Sequence, residues 1–331
     1  MWCTSDMSNC DDLPGKPMLH RIFQIAREVE SSGYRKLRKT LEHVEVVGRL
    51  LHGESPLEKQ VCTMTAARLG HTVVDLGWNG ADSMSTDELL DSVRMASNVS
   101  DLLLTVFSSN ETFGEGRRLT KQFAEIASVP LASLHDDVYA WQSALANLLG
   151  IEQRLGGLAE KQLVITWGFG NSFLNPAPAN SILISALAFG AHVRLVSPSK
   201  FSILNRVRRV AEDTSQCYNV LYEEVDEFEG SFTDADAIFA LNWMRLDDFN
   251  HPERNRDFAL QFREWHFETL PEHTVFSTLP YTQPELLASR KILGSDQNIT
   301  PLWLRNRVTT LAATIALLNE SSSPDAPASM L

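Results

Sequence analysis

Short apolar runs and helix-period stretches take turns along this chain. Segments 71–76 (HTVVDL), 101–107 (DLLLTVF) and 129–134 (VPLASL) are brief and rich in β-branched and aliphatic residues, and they predict strands. Between them, 86–98 and 116–127 place apolar residues at the 3.6-residue period of a helix with one buried face. The alternation resumes with strand-like runs at 162–167 (QLVITW), 192–197 (HVRLVS), 219–222 (NVLY), 236–241 (DAIFAL) and 273–277 (HTVFS). Nearly continuous apolar strands separated by helices predict parallel sheets covered on both faces, and two such runs fit two α/β domains. Segment 138–155 reads as one long helix stopped by Gly156-Gly157, the bridge between the halves. An apolar helix over 301–318 follows the final strand, and the Ser/Pro-rich end of the chain has the composition of a disordered tail.

Composition narrows the function classes. The 331 residues carry 29 Lys and Arg against 42 Asp and Glu, a formal charge of −13. No basic stripe is available for a nucleic-acid backbone, so no nucleic-acid partner is expected. An anionic small substrate remains compatible, since a site needs only a few local cations. Four cysteines (Cys3, Cys10, Cys62, Cys217) without a CxxC pair make neither a disulfide framework nor a zinc site. The first residues lack the basic and apolar regions of a secretory leader, and no apolar run approaches a membrane span, so a cytoplasmic protein without membrane contact is expected.

In open α/β sheets ligands bind beyond the C-terminal strand ends, so the loops after Leu76, Val106, Leu134, Trp167, Leu241 and Ser277 are the places for chemistry. At 53–59 (GESPLEK), Ser55 as N-cap, Pro56 at the first helical position and Glu58 three residues after the cap read as a capping box. The competing reading is an anion site on the helix N-terminus, opposed by the Glu58 carboxylate and partly restored by Lys59. Segment 167–181 (WGFGNSFLNPAPANS) has a G-x-G after a strand but lacks the third glycine of a dinucleotide loop; Asn175 and Asn180 suit a polar-substrate loop better. At 240–245 (ALNWMR), Arg245 beside Asn242 and Trp243 can hold a carboxylate, with a core tryptophan and a solvated arginine as the plainer reading. Ser277, Thr278 and Leu279 end a strand, and without a positioned base the two hydroxyls read as turn residues. His135-Asp136-Asp137 has the makings of an acid–base or metal cluster, but reads more simply as acidic charge at a helix start.

Taken in order, these motifs resemble the aspartate and ornithine carbamoyltransferase family over about residues 18 to 319. Segment 55–70, ending AARLG, is similar to that family's S-T-R-T-R helix with its A-A-R-L-G ending. Segment 137–148 resembles the bridging helix with its H-P-x-Q motif. In the second half, Thr166-Trp167 through Asn180-Ser181 resembles the W…P-L-N-x-A-x-A-N-S loop of the N-acetylornithine and N-succinylornithine branch, and 239–243 (FALNW) its Y-x-K-x-W segment. Ser277-Thr278-Leu279-Pro280 sits where the family has H-C-L-P, and Asn306-Arg307 matches E-N-R in the last helix. The resemblance implies two parallel-sheet α/β domains of the carbamoyltransferase type joined by a bridging helix. A donor (carbamoyl-phosphate) domain would span 1–150, an amino-acid acceptor domain 151–295, a C-terminal helix packing back on the first domain 296–319, and a tail 320–331. It also implies a knotted chain, the segment around 278–300 threading loop 171–180, and a homotrimer.

The departures fall at the phosphate. Ser55 is kept, but Pro56, Leu57, Glu58 and Lys59 replace threonine, arginine, threonine and arginine. The family's arginine at the end of the second strand becomes Val106; H-P-x-Q becomes Ala140-Trp141-Gln142-Ser143; the histidine and cysteine of H-C-L-P become Ser277 and Thr278. Arg307 alone survives among the phosphate-binding arginines. Each charge-assisted contact to a phosphate is worth roughly 1.5–3 kcal/mol. Losing two arginines and gaining Glu58 would weaken a phosphate site by about a thousandfold or more.

The expected protein is therefore a transferase of this family, needing no cofactor or metal. It would move a carbamoyl or related acyl group to the amine of an ornithine-like amino acid, through a donor site altered from standard carbamoyl-phosphate binding. Donor-binding candidates are Ser55, Lys59, Gln142, Ser143 and Arg307, with Trp78 offered by the 77–85 loop of a neighbouring chain. Acceptor-binding candidates are Asn175, Asn180, Asn242, Trp243, Arg245, Ser277, Thr278 and Leu279. Two alternatives stand beside it: a non-catalytic ligand-binding or assembly homologue, and an ordinary carbamoyltransferase completed by the neighbouring chain.

Overall fold

A computed structural model describes residues 16–53, 56–78, 83–108, 112–170, 175–249, 251–280 and 282–321. The chain divides into two compact units, 1–143 with 304–331 and 144–303. The division falls at 143/144, within the segment expected to bridge the halves.

The first unit opens with helices α1 (Lys16–Ser32) and α2 (Arg35–Thr40), followed by β1 (Val46–His52), α3 (Pro56–Leu69), β2 (Thr72–Asp75), α4 (Thr86–Ser97), β3 (Leu102–Phe107), α5 (Glu115–Ile126) and β4 (Leu131–Asp136). Its sheet is parallel throughout, in the order β2-β1-β3-β4. Strand β1, flanked by β2 and β3, is absent from the sequence reading. Gly48 and Arg49 interrupt its apolar run, yet both belong there. A side chain at Gly48 would strike Leu103 and Leu76, and Arg49 turns its guanidinium to Asp75, Thr63 and the Lys59 carbonyl. One face is filled by Leu50, Trp78, Leu89, Val93, Phe107 and Phe123. Each such side chain stabilises the fold by roughly 1.5–3 kcal/mol through burial. Helix α4 starts with a true capping box: Ser85 Oγ accepts from the Glu88 N–H at 3.3 Å, and Glu88 Oε2 accepts from the Ser85 N–H at 2.7 Å.

Helix α6 (Trp141–Leu155) crosses the division between the units. It begins three residues later than expected, because Asp136 Oδ1 accepts from the N–H groups of Val138 and Tyr139, both at 2.8 Å, and holds them in a turn.

The second unit contains β5 (Gln162–Trp167), α7 (Ala177–Ala188), β6 (His192–Val196), α8 (Asn205–Tyr218), β7 (Tyr222–Val225), β8 (Ala237–Leu241), α9 (Pro252–Ala259), β9 (Val275–Ser277) and α10 (Arg290–Leu293). Its parallel sheet runs β7-β6-β5-β8-β9. Its core includes Val164, Val196, Ile238, Phe267, Phe276 and Leu287. The last helix, α11 (Trp303–Ser321), groups from residue 304 with the first unit. The expected threading of loop 171–180 involves residues 171–174, which lie outside the described residues. No helix among the described residues is long and apolar enough to cross a membrane.

Candidate functional site

Each sheet reverses its strand order once, and those reversals are where open α/β sheets leave a crevice for ligands. In the first unit the reversal lies between β1 and β3. The chain leaves β1 through Gly53, whose φ is +67°. A Cβ at this position would lie 2.5 Å from the Ser108 carbonyl oxygen, so both the conformation and the space restrict it to glycine. The chain then enters α3, whose first turn carries Glu58.

Where the sequence reads a capping residue, the fold gives Glu58 a distant partner. Its carboxylate is buried and meets the Arg307 guanidinium bidentately, Arg307 Nη1 donating to Oε1 at 3.2 Å and Nη2 to Oε2 at 2.5 Å. Arg307 is 1% exposed and Glu58 7%. Burial raises the Glu58 carboxyl, but the Arg307 charge and hydrogen bonds outweigh it and hold the group below its ordinary value, with a smaller pull from His135. One turn along α3, burial and the Glu58 charge push the Cys62 thiol up to about 12. Gln142, at the start of α6, donates from Nε2 to the Arg307 carbonyl at 2.8 Å and to Thr310 Oγ1 at 2.7 Å. Its own Oε1 is buried without a hydrogen-bond partner among the described residues. Glu58, His135, Gln142 and Arg307 thus form one polar cluster in which the arginine's charge is already matched.

The other donor-side candidates stand elsewhere. Ser55 lies outside the described residues. Lys59 is exposed, 3.9 Å from Asp75. Ser143 is buried. Trp78 supports its own core rather than reaching out of it: it is 3% exposed, packs on Phe107 and Phe123, and donates from Nε1 to Ser92 Oγ at 2.6 Å. Val106 is buried beside a register shift in β3, which pairs it with His135 of β4. Asp137 serves helix α5, accepting from the N–H groups of Gly114, Gly116 and Arg117 at 2.7, 3.1 and 2.8 Å. Burial and the Asp136 charge nevertheless raise it to about 6. No cluster of His, Cys, Asp and Glu suited to a metal occurs among the described residues.

In the second unit the reversal lies between β5 and β8, where Asn242 follows directly on β8. Its amide carbon would lie 3.3 Å from a Cβ added at Gly170, and its Nδ2 is buried without a hydrogen-bond partner among the described residues. Trp243 is fully buried and donates to the Phe201 carbonyl at 2.8 Å, while its own carbonyl accepts from Trp167 Nε1 at 3.0 Å. That is core architecture, the plainer of its two readings. Arg245 lies over the Phe258 ring at 4.3 Å and pairs with Asp248 at 3.3 Å, so its charge is matched too. Asn175 Oδ1 accepts from the Ala177 N–H at 3.1 Å at the entry to α7, where Asn180 is buried. Ser277 Oγ donates to Asn147 Oδ1 at 2.7 Å; Thr278 bonds Thr282 and Thr300, and the Leu279 carbonyl accepts from Thr282.

No protein-family model matches the chain. It is 25% identical over 215 residues to an N-acetylornithine carbamoyltransferase of Xanthomonas campestris pv. campestris, covering 62% of this chain and 63% of that protein. It is 22% identical over 214 residues to an ornithine carbamoyltransferase of Streptococcus pneumoniae, covering 64% and 60%. These matches span less than two thirds of the relatives' own lengths. Among solved structures it resembles N-acetyl-L-ornithine transcarbamylase, at 21% identity and a TM-score of 0.80, over 91% of this chain and 95% of that one. It also resembles acetylornithine transcarbamylase complexed with acetylcitrulline, at 20% identity and a TM-score of 0.79, with the same coverage.

Proposed function

We propose that the chain is a carbamoyltransferase-family protein, a reading supported by its fold and its sequence relationship, and that it transfers a carbamoyl or related acyl group from an uncharged donor to the amine of an ornithine-like amino acid. The observation that carries this reading is the buried Glu58–Arg307 pair. A phosphate dianion seeking that guanidinium would have to expel a carboxylate fixed to the chain and force two negative groups into one desolvated place. An uncharged donor meets no such penalty. Gln142 Oε1, buried and unpartnered among the described residues, can accept from a carbamoyl N–H whatever leaving group the donor carries. On the acceptor side, Asn242 Nδ2 offers a donor to a carboxylate or acyl oxygen. The reaction would form a C–N bond between amine nitrogen and carbonyl carbon, break the bond to the leaving group, and release a proton from the amine. The homotrimer implied by the family resemblance remains part of this proposal.

A second reading, a non-catalytic amino-acid-binding homologue, is favoured by Arg245, whose internal pairing takes away a cation expected for the acceptor. Thermal-shift measurements and citrulline-type product analysis, with ornithine and N-acylated ornithines as acceptors, separate the two. Turnover with carbamate esters or acyl thioesters and none with carbamoyl phosphate is the expected result. Saturable amino-acid binding with no turnover of any donor would establish the second reading, and strong stabilisation by carbamoyl phosphate would overturn the first.

A further inference from the structure

In a chain with 42 Asp and Glu against 29 Lys and Arg, an exposed arginine readily finds a carboxylate. Arg94 pairs with Asp91, Arg118 with Glu115, Arg194 with Asp234 and Arg208 with Glu224. One surface of the first unit breaks that rule. Helix α2 and the end of α3 present Arg35, Lys36, Arg38, Lys39 and Arg68, all exposed. Of these, Lys36 alone meets a carboxylate among the described residues, Glu28 at 3.1 Å. The group is held in place from below. Leu37 and Leu41 are buried, Arg38 Nε donates to the Arg68 carbonyl at 2.7 Å, and Arg68 lies over the Tyr34 ring at 5.9 Å. The Tyr34 hydroxyl in turn stands 3.4 Å from Thr309 Oγ1 of α11. Arg38, Lys39 and Arg68 occupy the last turns of their helices, where the carbonyl ends favour positive charge. A helix end attracts such charge without neutralising it, so these exposed cations remain available to a partner.

We propose that this surface docks an acidic stretch of another polypeptide. Arginine forks take carboxylates two oxygens at a time, and Lys39 adds a point charge. From Arg35 to Lys39 the patch runs about 6 Å along the helix. That length suits a few acidic side chains rather than the longer track of phosphates along a nucleic acid. The negative excess over the rest of the chain also repels a long polyphosphate. Helix α2 has no exposed apolar side chain to insert into a bilayer, its one leucine, Leu37, being buried.

The test is binding of labelled oligoglutamate to the full chain, followed by fluorescence anisotropy at low and high salt. Oligoglutamine, single-stranded DNA and phosphatidylserine vesicles are run beside it. Arg35→Glu/Lys39→Glu is the variant of choice, because neither side chain hydrogen-bonds or ion-pairs within the described residues. Arg254→Glu/Lys291→Glu, at two exposed cations of the second unit, makes the same change in net charge. Saturable oligoglutamate binding is expected, weakened by salt and about tenfold or more weaker in Arg35→Glu/Lys39→Glu. Arg254→Glu/Lys291→Glu should bind as the wild type does. Circular dichroism checks that both variants fold, and Arg35→Gln/Lys39→Gln, with a smaller loss expected, stands in if the reversal does not. Absence of saturable binding, or an equal loss in the two charge-reversed variants, would overturn the proposal. So would tighter binding of the DNA or the vesicles, which would give the surface to a phosphate-bearing partner instead.

Discussion

Replacing Glu58 and Arg307 by apolar residues, singly and together, measures how the pair contributes to the first unit. Glu58→Leu leaves a guanidinium 1% exposed without the carboxylate that balances it, and Arg307→Met leaves a carboxylate 7% exposed in the same position. Removing one partner of a buried, bidentate pair costs about 3–5 kcal/mol, chiefly through the stranded charge. Glu58→Leu/Arg307→Met removes both charges at once, and apolar replacement of a whole buried pair is often neutral or even stabilising. The double variant should therefore be more stable than either single one. The coupling should reach about 3 kcal/mol, the upper end for residues in contact. Urea unfolding followed by circular dichroism and by tryptophan fluorescence is a suitable assay. Both residues belong to the first unit, so the shift should appear in that unit's transition and leave the second unit's transition in place. The same contribution depends on pH. Glu58 is depressed in the folded chain, so its contribution is present above the ordinary glutamate value of 4.5 and fades as pH falls below it. Strictly additive single and double effects would refute the reasoning, since they would mean that neither charge depends on the other.

Two further outcomes concern the same unit. Asp137 is raised from 3.8 to about 6, so the folded chain holds its proton more tightly than the unfolded chain does. First-unit stability should therefore fall by roughly 2 kcal/mol as pH rises from about 4 to 6, and by roughly 3 kcal/mol over the whole titration. Asp137→Asn should flatten that stretch of a stability–pH profile; an unchanged slope would place the titration elsewhere. Cys62, buried and pushed up to about 12, should resist iodoacetamide at mildly alkaline pH while exposed Cys217 is alkylated. Peptide mapping by mass spectrometry resolves each cysteine, and rapid labelling of Cys62 in the folded chain would contradict its burial.

The alternation of apolar strands with amphipathic helices was enough to determine two parallel α/β sheets, because inner strands such as β3, β5 and β8 are covered on both faces and write that burial into a local run of residues. Strand β1 escaped the same logic. Gly48 and Arg49 are tolerated in its middle only because Leu103 presses on the first and Asp75, brought alongside by β2, receives the second. The missing cations were equally legible: Leu57 and Val106 stand in the sequence where the family resemblance asks for arginine, and Glu58 where it asks for threonine. What the tertiary structure alone decided was the use of the charges that remain. Glu58 had the spacing of a capping residue, and local spacing cannot reveal a partner 249 residues distant. Trp243 and Arg245 could equally have faced a ligand until Phe201, Phe258 and Asp248 were placed around them. Periodicity records what a segment buries, whereas the pairing of a charge depends on which distant segments the fold brings within hydrogen-bonding reach.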